Sequence, residues 1–403
     1  MSVVARDPVS LSRRAFAGVA LGGLAVAGLD ACSPRTQQQV AIVPLKPAPL
    51  KRDLQAWPTL DAMAQAMIAR RQTPGLSVSV LKNGALLYSR GFGLGDISTG
   101  AAATPQSGFR IASVTKQFTA AAILLLAGDG RLSVTDPLAR FLPDYPNAAA
   151  ITLAEMMSHT AGLGDYINGQ DATVLGQAQT RDYTTDELLA IIRASTSQRS
   201  RPGTRYAYSN SGFALLGIVV ERVSGLPFAQ FLQQRIFNPV GMAGTGIDSS
   251  AAAPACCGYR PNHLAGAGFG PVYPVSPSFI GGAGAIRSCT EDLCRWHDAL
   301  LHGRVLEPAG VVAMLTPARL SDGRFVVAER EGYGFGQRLG MENGQPYLMH
   351  GGMVNGFASH LRSYPVAGIT VACLYNCDGV GSGGFWQAQH DLRIEASRLA
   401  LAA

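Results

Sequence analysis

The stretch FRIASVTKQFTAAAILLLAGDG, residues 109–130, is the most informative segment of this chain. Its residues are apolar nearly all round until Gly128, which predicts a helix buried inside the protein. Ser113 and Lys116 lie three residues apart at its start, on one face, where the amine can reach the hydroxyl. Burial lowers the pKa of a lysine, so Lys116 can act as a base. The positive end of the helix also favours an anionic intermediate near Ser113.

The Ser-x-x-Lys spacing is a weak signal when it stands alone. In a chain of 403 residues with ordinary composition, it occurs by chance about once. The alternative to catalysis is a serine that caps the helix, followed by a solvated lysine. Partner residues elsewhere in the chain must decide between the two.

Two further segments contain candidate partners. In RPGTRYAYSNSGFALLG, residues 201–217, Tyr208 and Asn210 precede a second apolar helix. Asn210 could simply cap that helix; alternatively, Tyr208 relays a proton, and Asn210 binds substrate or holds Lys116. In LMHGGMVNGFAS, two glycines follow His350, which indicates either a turn or a backbone that approaches a ligand closely.

These motifs occur in a fixed order: SVTK from Ser113, YSN from Tyr208 and HGG from His350. In this order they resemble the three motifs of the serine β-lactamase and penicillin-binding protein superfamily. The chain is similar in particular to its branch of class C β-lactamases, D-alanyl-D-alanine carboxypeptidases, D-aminopeptidases and β-lactamase-like esterases, over roughly residues 57–400. The resemblance implies an α+β fold, an α/β sandwich. An antiparallel sheet from both chain ends would be flanked by helices, with a mainly helical insertion at about 114–260.

The resemblance also implies a serine hydrolase that works through an acyl-enzyme and needs no cofactor or metal. Ser113 would attack the substrate carbonyl while Lys116 and Tyr208 move its proton. The backbone N–H groups of Ser113 and Met353 would form the oxyanion hole. Gly352 would let the edge of the strand close on the substrate.

The third motif departs from the Lys-Thr-Gly form that is commoner in the superfamily. His350 replaces a permanent cation with an imidazole that is mostly neutral at pH 7, and Gly351 replaces a threonine hydroxyl. Both lost groups help hold the carboxylate of β-lactams and D-alanine peptides in the superfamily, so an arginine elsewhere would have to substitute. We therefore expect His350 to line the substrate site of an esterase or peptidase acting on small acyl or D-amino-acid substrates. The alternatives are a β-lactamase or carboxypeptidase, and a non-catalytic module that binds penicillin or muropeptides.

The rest of the chain predicts how the sheet is assembled. Apolar spacing at 60–72 predicts a helix, and Asn83–Gly84 between two alternating segments predicts a hairpin. Helical patterns dominate from about 114 to 237, and strands return at 356–364 and 368–376. Strands near both ends with helices between them predict one mixed sheet closed by the two chain ends.

The first 31 residues predict an export signal. The twin arginine Arg13–Arg14 precedes an apolar run that is far shorter than the roughly 20 residues of a membrane span. LDAC, which ends at Cys32, resembles a lipobox, whereas AVAG at Ala25–Gly28 offers an ordinary cleavage site. We expect a periplasmic lipoprotein anchored to the membrane through Cys32, with a linker at 32–55 and a hydrolase domain at 56–403.

Composition excludes several classes of protein. With 47% hydrophobic and 15% charged residues, the chain can bury a large core and is not disordered. The net charge is +6, or +5 once the three arginines and two aspartates of the signal are removed, and no like charges run together. Nucleic-acid binding is therefore not expected.

The six cysteines besides Cys32 fit no zinc spacing and could be disulfides or buried thiols. We expect His159 to be structural and the protein to be a monomer.

Overall fold

The structure, a computed structural model, describes residues 49–168, 181–195, 200–247, 255–262, 268–273 and 275–403. The predicted signal, Cys32 and most of the predicted linker lie outside the described residues. The last linker residues are described, and they belong to the fold. Lys51–Arg52 form a short strand, and the Asp53 N–H donates to the Leu86 carbonyl over 2.9 Å. The hydrolase fold therefore includes residues before 56, because backbone pairing holds this segment.

Strands and helices follow the chain in the order predicted. The described strands are β1 (Lys51–Arg52), β2 (Gly75–Lys82), β3 (Ala85–Asp96), β4 (Ala101–Ala102), β5 (Phe109–Arg110), β6 (Gly246–Ile247), β7 (Tyr259–Pro261), β8 (Phe269–Pro271), β9 (Ile286–Ser288), β10 (Val327–Ala328), β11 (Glu331–Tyr333), β12 (Arg338–Glu342), β13 (Gln345–Val354), β14 (Phe357–Tyr364) and β15 (Ile369–Tyr375). The described α-helices are α1 (Pro58–Ala69), α2 (Thr115–Gly128), α3 (Leu153–Met157), α4 (Thr185–Ser195), α5 (Asn210–Ser224), α6 (Phe228–Leu232), α7 (Asn238–Val240), α8 (Pro277–Ile280), α9 (Thr290–Leu301), α10 (Pro308–Met314) and α11 (Phe385–Ala402).

One large sheet joins the two ends of the chain, as the sequence predicts. Its strands run in the order β1-β3-β2-β15-β14-β13-β12-β11-β10, and β4 pairs with β3. The β2–β3 hairpin turns at Asn83 and Gly84, which both have positive φ, 48° and 78°. Neighbouring strands are antiparallel, except that β1 pairs in parallel with β3. The strand pattern predicts this mixed sheet, and among the described strands the short edge strand β1 is its one departure from the antiparallel sheet that the resemblance implies.

Helices cover both faces of the sheet, so each face has its own core. On the back face, α1 and α11 pack on residues such as Val78 and Tyr375. On the front face, α2, α5 and α9 enclose a larger core around Phe118, whose ring stacks on Trp296 at 4.3 Å. Helix α2 is buried almost throughout, as its uniformly apolar sequence predicts.

The described residues contain no single helix that is long and apolar enough to cross a membrane. Helix α5 and the segment Phe228–Val240 pass that test only as a pair, with a bend of 77° between them.

All six cysteines from Cys256 to Cys377 lie in the described part of the chain, and none of them forms a disulfide. All but Cys257 are buried, which agrees with the interpretation of these residues as apolar thiols.

Candidate active site

Ser113 lies in a strained turn at the start of the buried helix α2. Residues Ala112–Val114 form one turn of 3₁₀ helix, and Ala112 has a φ of +47°, which a side chain disfavours. The N-cap of α2 is Val114, and no side chain caps the helix. The alternative role of Ser113 as a capping serine is therefore wrong, and its hydroxyl is left for other partners.

The structure brings three sequence-predicted residues together. Lys116 Nζ lies 3.0 Å from Ser113 Oγ, and the Tyr208 hydroxyl donates to the same oxygen over 2.8 Å. Ser113 Oγ thus sits between an amine and a phenol, although Tyr208 comes from a loop 95 residues further along the chain. This is the arrangement needed to remove a proton from a hydroxyl and deliver it to a leaving group.

The surroundings of Lys116 make its amine a base. Two of its bonds run to groups that only accept, Asn210 Oδ1 and the Ala283 carbonyl, both over 2.8 Å. The third direction faces Ser113, so a neutral amine would accept the Ser113 proton there. Burial lowers the pKa of Lys116 to about 7, although the nearby carboxylate of Asp165 opposes this. A substantial fraction of the amine is therefore neutral near pH 7.

Tyr208 has the opposite tendency. Burial raises the pKa of its phenol above the ordinary value, while the hydrogen bond to Ser113 only partly opposes that shift. At neutral pH Tyr208 keeps its proton and can donate it. Lys116 is thus suited to accept a proton and Tyr208 to supply one.

Asn210 belongs to the site and does not cap its helix. The N-cap of α5 is Ser209, whose Oγ accepts from the Gly212 N–H. The side chain of Asn210 instead bridges Lys116 and Asp165, to which its Nδ2 donates over 2.9 Å. Asp165 is buried, and it could not be identified from the sequence because it lies outside the three motifs. It fixes the amide so that the carbonyl oxygen faces the amine.

The strand β13 passes directly beside the nucleophile, and only glycine fits at position 352. A Cβ on Gly352 would lie 2.3 Å from the Ile111 carbonyl oxygen and 2.9 Å from the Ser113 nitrogen. Gly352 thus lets β13 lie against the backbone at Ile111 and Ser113, whereas its role in closing the strand edge on a substrate stays a prediction. Met353, the next residue, lines the cleft in front of Ser113. The role of its N–H in an oxyanion hole remains a prediction.

His350 and His159 are joined through a residue that the sequence did not single out. The Tyr333 hydroxyl lies 3.1 Å from Nε2 of each histidine. His159 Nδ1 accepts from the Ser209 N–H, and His350 Nδ1 lies 2.6 Å from the Gly351 carbonyl. These backbone groups assign the tautomers: His159 Nε2–H donates to Tyr333, and Tyr333 donates to His350. All the hydrogen-bonding groups of the three side chains are then used.

Both histidines are therefore neutral. Burial, together with the charge of Lys116, lowers the pKa of His350 to about 3 and that of His159 well below its usual range. His350 lines the cleft, but its two ring nitrogens are engaged within the protein. His159 packs against the Tyr208 ring, with ring centroids 4.2 Å apart, and acts as a support, in agreement with its expected structural role.

A cleft of about 1030 Å³ opens over Ser113, and two arginines line it at different places. Arg338 of β12 pairs with Met349 next to His350, and its guanidinium contacts both Glu329 and Glu331. Two carboxylates more than neutralise this arginine. Arg260 of β7 lies beyond the far end of β13.

Within the described residues, no three His, Cys, Asp or Glu side chains come close enough to hold a metal ion.

A serine hydroxyl held between a lysine whose pKa burial lowers to about 7 and a protonated tyrosine, on a strained turn beside a glycine strand edge, defines a serine hydrolase. The chain belongs to the beta-lactamase family, whose model matches residues 60–392. This confirms the family resemblance of the three motifs, and with it the β-lactamase/transpeptidase-like fold.

Among curated relatives, the chain is similar to a D-aminopeptidase of Gluconobacter oxydans, with 30% identity over 79% of this chain. The match spans only 58% of the length of that relative. A penicillin-binding protein of Bacillus subtilis is 28% identical over 76% of this chain and 68% of its own. These proteins share the family; what each of them hydrolyses or binds is a property of that protein.

Solved structures show the same fold. A penicillin-binding protein homologue from Pyrococcus abyssi, an octamer, matches with a TM-score of 0.69 and 25% identity over 80% of this chain and 74% of its own. A D-amino acid amidase from Ochrobactrum anthropi matches with a TM-score of 0.71 and 24% identity over 85% of this chain and 99% of its own. At that identity, the second likeness concerns the fold alone.

Proposed function

We propose that the protein cleaves small amides or esters, of the D-amino-acid type, through an acyl-enzyme on Ser113. The observation that carries this proposal is the position of Lys116 Nζ, 3.0 Å from Ser113 Oγ and tied to two groups that only accept. The amine is held in place and has a pKa of about 7, so it can take the serine proton at neutral pH. The D-aminopeptidase among the similar proteins supports an amide substrate.

Each residue has a defined part in the proposed reaction. Lys116 takes the Ser113 proton while Oγ bonds to the carbonyl carbon, and the N–H groups of Ser113 and Met353 receive the oxyanion. The bond to the leaving nitrogen or oxygen then breaks. The proton taken by Lys116 reaches the leaving group through the Tyr208 hydroxyl. A water molecule releases the acid from Ser113 by the reverse use of the same groups.

The third motif supports substrates that lack a carboxylate on the leaving group. His350 is neutral and engaged, and Arg338 beside it is paired with two glutamates. Among the described residues, no unpaired cation therefore stands where the superfamily commonly has lysine. β-Lactamase or carboxypeptidase activity is accordingly the weaker alternative, and a pure binding module would have no need of Lys116 and Tyr208 in this geometry.

Two measurements test the proposal. A fluorophosphonate probe should label the wild-type protein and leave Ser113→Ala unlabelled, as a nucleophilic serine requires. Purified protein should then turn over D-amino-acid amides or short p-nitrophenyl esters faster than nitrocefin. Wild-type protein that no serine probe labels would contradict the enzyme assignment, and equal turnover of nitrocefin would contradict the substrate class.

We also propose export as a membrane-anchored lipoprotein, supported by the twin arginine at 13–14 and the LDAC motif ending at Cys32. Globomycin, which blocks lipoprotein signal cleavage, should leave an unprocessed, larger form in cells. Cys32→Ser should give the same result. An unchanged band in both experiments would favour cleavage after Gly28 instead.

A further inference from the structure

Arg260 stands at the end of the cleft that the proposed reaction does not use. It lies on β7, and its guanidinium lines the same cleft as Ser113. Nε and Nη2 both contact Asp378 Oδ2 at 2.7 Å, and Nη2 donates to Asn355 Oδ1 over 3.2 Å. Among the described residues, no hydrogen bond uses Nη1. The side chain is 44% exposed, so the remaining donors can reach a ligand.

The guanidinium is held in place by a buried network. Asp378 is only 1% exposed, and its carboxylate also accepts the N–H groups of Gly356 and Val380. These two backbone donors share the negative charge of Asp378. Asn355, the other partner of Arg260, follows β13 directly. Arg260 is therefore fixed relative to the strand that borders the nucleophile, before any substrate arrives.

The position of Tyr208 decides which part of a substrate would reach Arg260. Tyr208 is expected to protonate the leaving group, and it is packed against His159 on the Tyr333 side of the site. The leaving group therefore lies on that side. The acyl part must extend the other way, along β13 from Met353 towards Asn355.

The length of that path follows from the strand. Asn355 lies two residues beyond Met353, which is roughly 7 Å along an extended chain. The walls on the way are apolar and accessible: the side chains of Met353, Val380 and Trp386 line the cleft and are 49–56% exposed. An apolar chain of about two residues in length would place its end at Arg260.

We propose that Arg260 is a substrate-binding residue that selects acyl groups ending in a carboxylate, about 7 Å from the scissile carbonyl. A six-carbon diacid, bound as its half-ester or half-amide, has roughly this length. The proposal rests on the proposed function, because it names the acyl group that Ser113 would accept. Arg260 would thus bind a carboxylate on the acyl part of the substrate. The lysine that His350 replaces would instead have bound a carboxylate on the leaving group.

Arg338, the other arginine of the cleft, does not offer the same site. Its guanidinium contacts two glutamates, and the side chain is only 21% exposed. A carboxylate there would meet a local charge that is already negative. Arg260 has a single, buried counter-ion and faces the cleft, so an incoming carboxylate gains a charge-assisted hydrogen bond from it.

The test compares two esters that differ only at the far end of the acyl chain: the mono-p-nitrophenyl ester of adipic acid and p-nitrophenyl hexanoate. We expect wild-type kcat/KM to be about 10-fold or more higher for the adipate ester, as a partly exposed charge-assisted bond would give. The ratio should fall as ionic strength rises. In Arg260→Gln the ratio should drop to about one, and Arg260→Lys should lie between.

Arg398→Gln is the matched control. Arg398 also makes a two-bond pair with one carboxylate, that of Glu395, but it lies on α11 and does not line the cleft. It removes the same net charge, so it should leave the ratio between the two esters at the wild-type value. A ratio that falls equally in both variants would show a general charge effect and overturn the proposal.

Failure of the Arg260 site and failure of the proposed function would give different results. If the wild type cleaves both esters at equal rates, the Arg260 site is refuted while the proposed function stands. If a phosphonate probe fails to label Ser113, the proposed function fails and takes the Arg260 proposal with it. If Ser113 is labelled but neither ester reacts, adipate should slow the labelling of wild type more than hexanoate does. Equal protection by the two acids would refute the site.

Discussion

His159 and His350 are two neutral, buried histidines that share one hydroxyl, that of Tyr333, yet they support opposite walls of the site. His159 holds the Tyr208 loop through the Ser209 N–H and by packing against the Tyr208 ring. His350 holds the strand edge through the Gly351 carbonyl. The sequence suggested substrate contact for His350 and structure for His159. The structure makes both of them parts of one scaffold that spans the proton donor and the strand.

The hydrogen bonds of His350 explain why a histidine can replace the lysine of the third motif. A lysine carries three donors and no acceptor, so it could not accept from Tyr333. A neutral imidazole accepts at one nitrogen and donates at the other, and it completes a chain that ends at a backbone carbonyl. The motif then keeps its place beside Ser113 and loses its charge.

A substitution in strand β13 beside Ser113 should have the largest effect on activity. In Gly352→Ala the new Cβ would lie 2.3 Å from the Ile111 oxygen, which is backbone and cannot yield, so β13 must move away from Ser113. We expect kcat to fall by about 100- to 1000-fold, measured with a p-nitrophenyl ester. In Gly351→Ala the nearest atom to the new Cβ is 3.6 Å away. That control should lose less than about threefold, and equal losses would show that the close approach is unimportant.

The Tyr208 side comes next. His159→Ala removes both ring bonds and the surface on which Tyr208 packs, so the phenol loses its aim at Ser113. We expect kcat to fall by about 100-fold, with a smaller change in KM. His302→Ala, an exposed histidine on the far end of α9, is the control and should change neither constant. A rise in KM with kcat unchanged would place His159 in substrate binding rather than in the positioning of Tyr208.

Removing the Tyr333 hydroxyl, which joins His159 to His350, should have a moderate effect on stability and activity. Tyr333→Phe leaves a buried donor on His159 and a buried acceptor on His350 without partners. We expect the free energy of unfolding in urea to drop by about 1–3 kcal/mol and kcat to drop by about 10-fold. Tyr273→Phe, at a tyrosine that is 80% exposed, should change neither quantity. A stability unchanged in Tyr333→Phe would mean that the two walls are independent.

Much of this scaffold could not be predicted from the sequence. The pair Ser113 and Lys116 was visible because three residues on a helix fix a distance, and the hairpin at Asn83–Gly84 was visible because turn chemistry is local. Tyr333 and Asp165 were missed, since each acts through a contact with a residue distant in the chain, His159 and Asn210 respectively. No periodicity records such contacts.

The same limit applies to details of the predicted elements. Asn210 and Ser209 are adjacent and both are good helix caps, so local propensity could not tell which one caps and which one turns to Lys116. The strand at Lys51–Arg52 lies in a polar, proline-rich stretch with no strand pattern. It forms because the edge of β3 offers backbone partners.

The pH profile gives the smallest and most specific test of the comparison. With histidine pKa values near 3 or below the usual range, neither His159 nor His350 titrates near neutrality, and Lys116, with a pKa of about 7, does. The amine must be neutral to act as a base, so kcat/KM should rise with pH through about 7. Since the carboxylate of Asp165 raises the pKa of Lys116, Asp165→Asn should move this rise to lower pH. His350→Gln should leave its midpoint in place. If the midpoint shifts in His350→Gln and stays unchanged in Asp165→Asn, the titrating group that controls activity is the histidine and not the lysine.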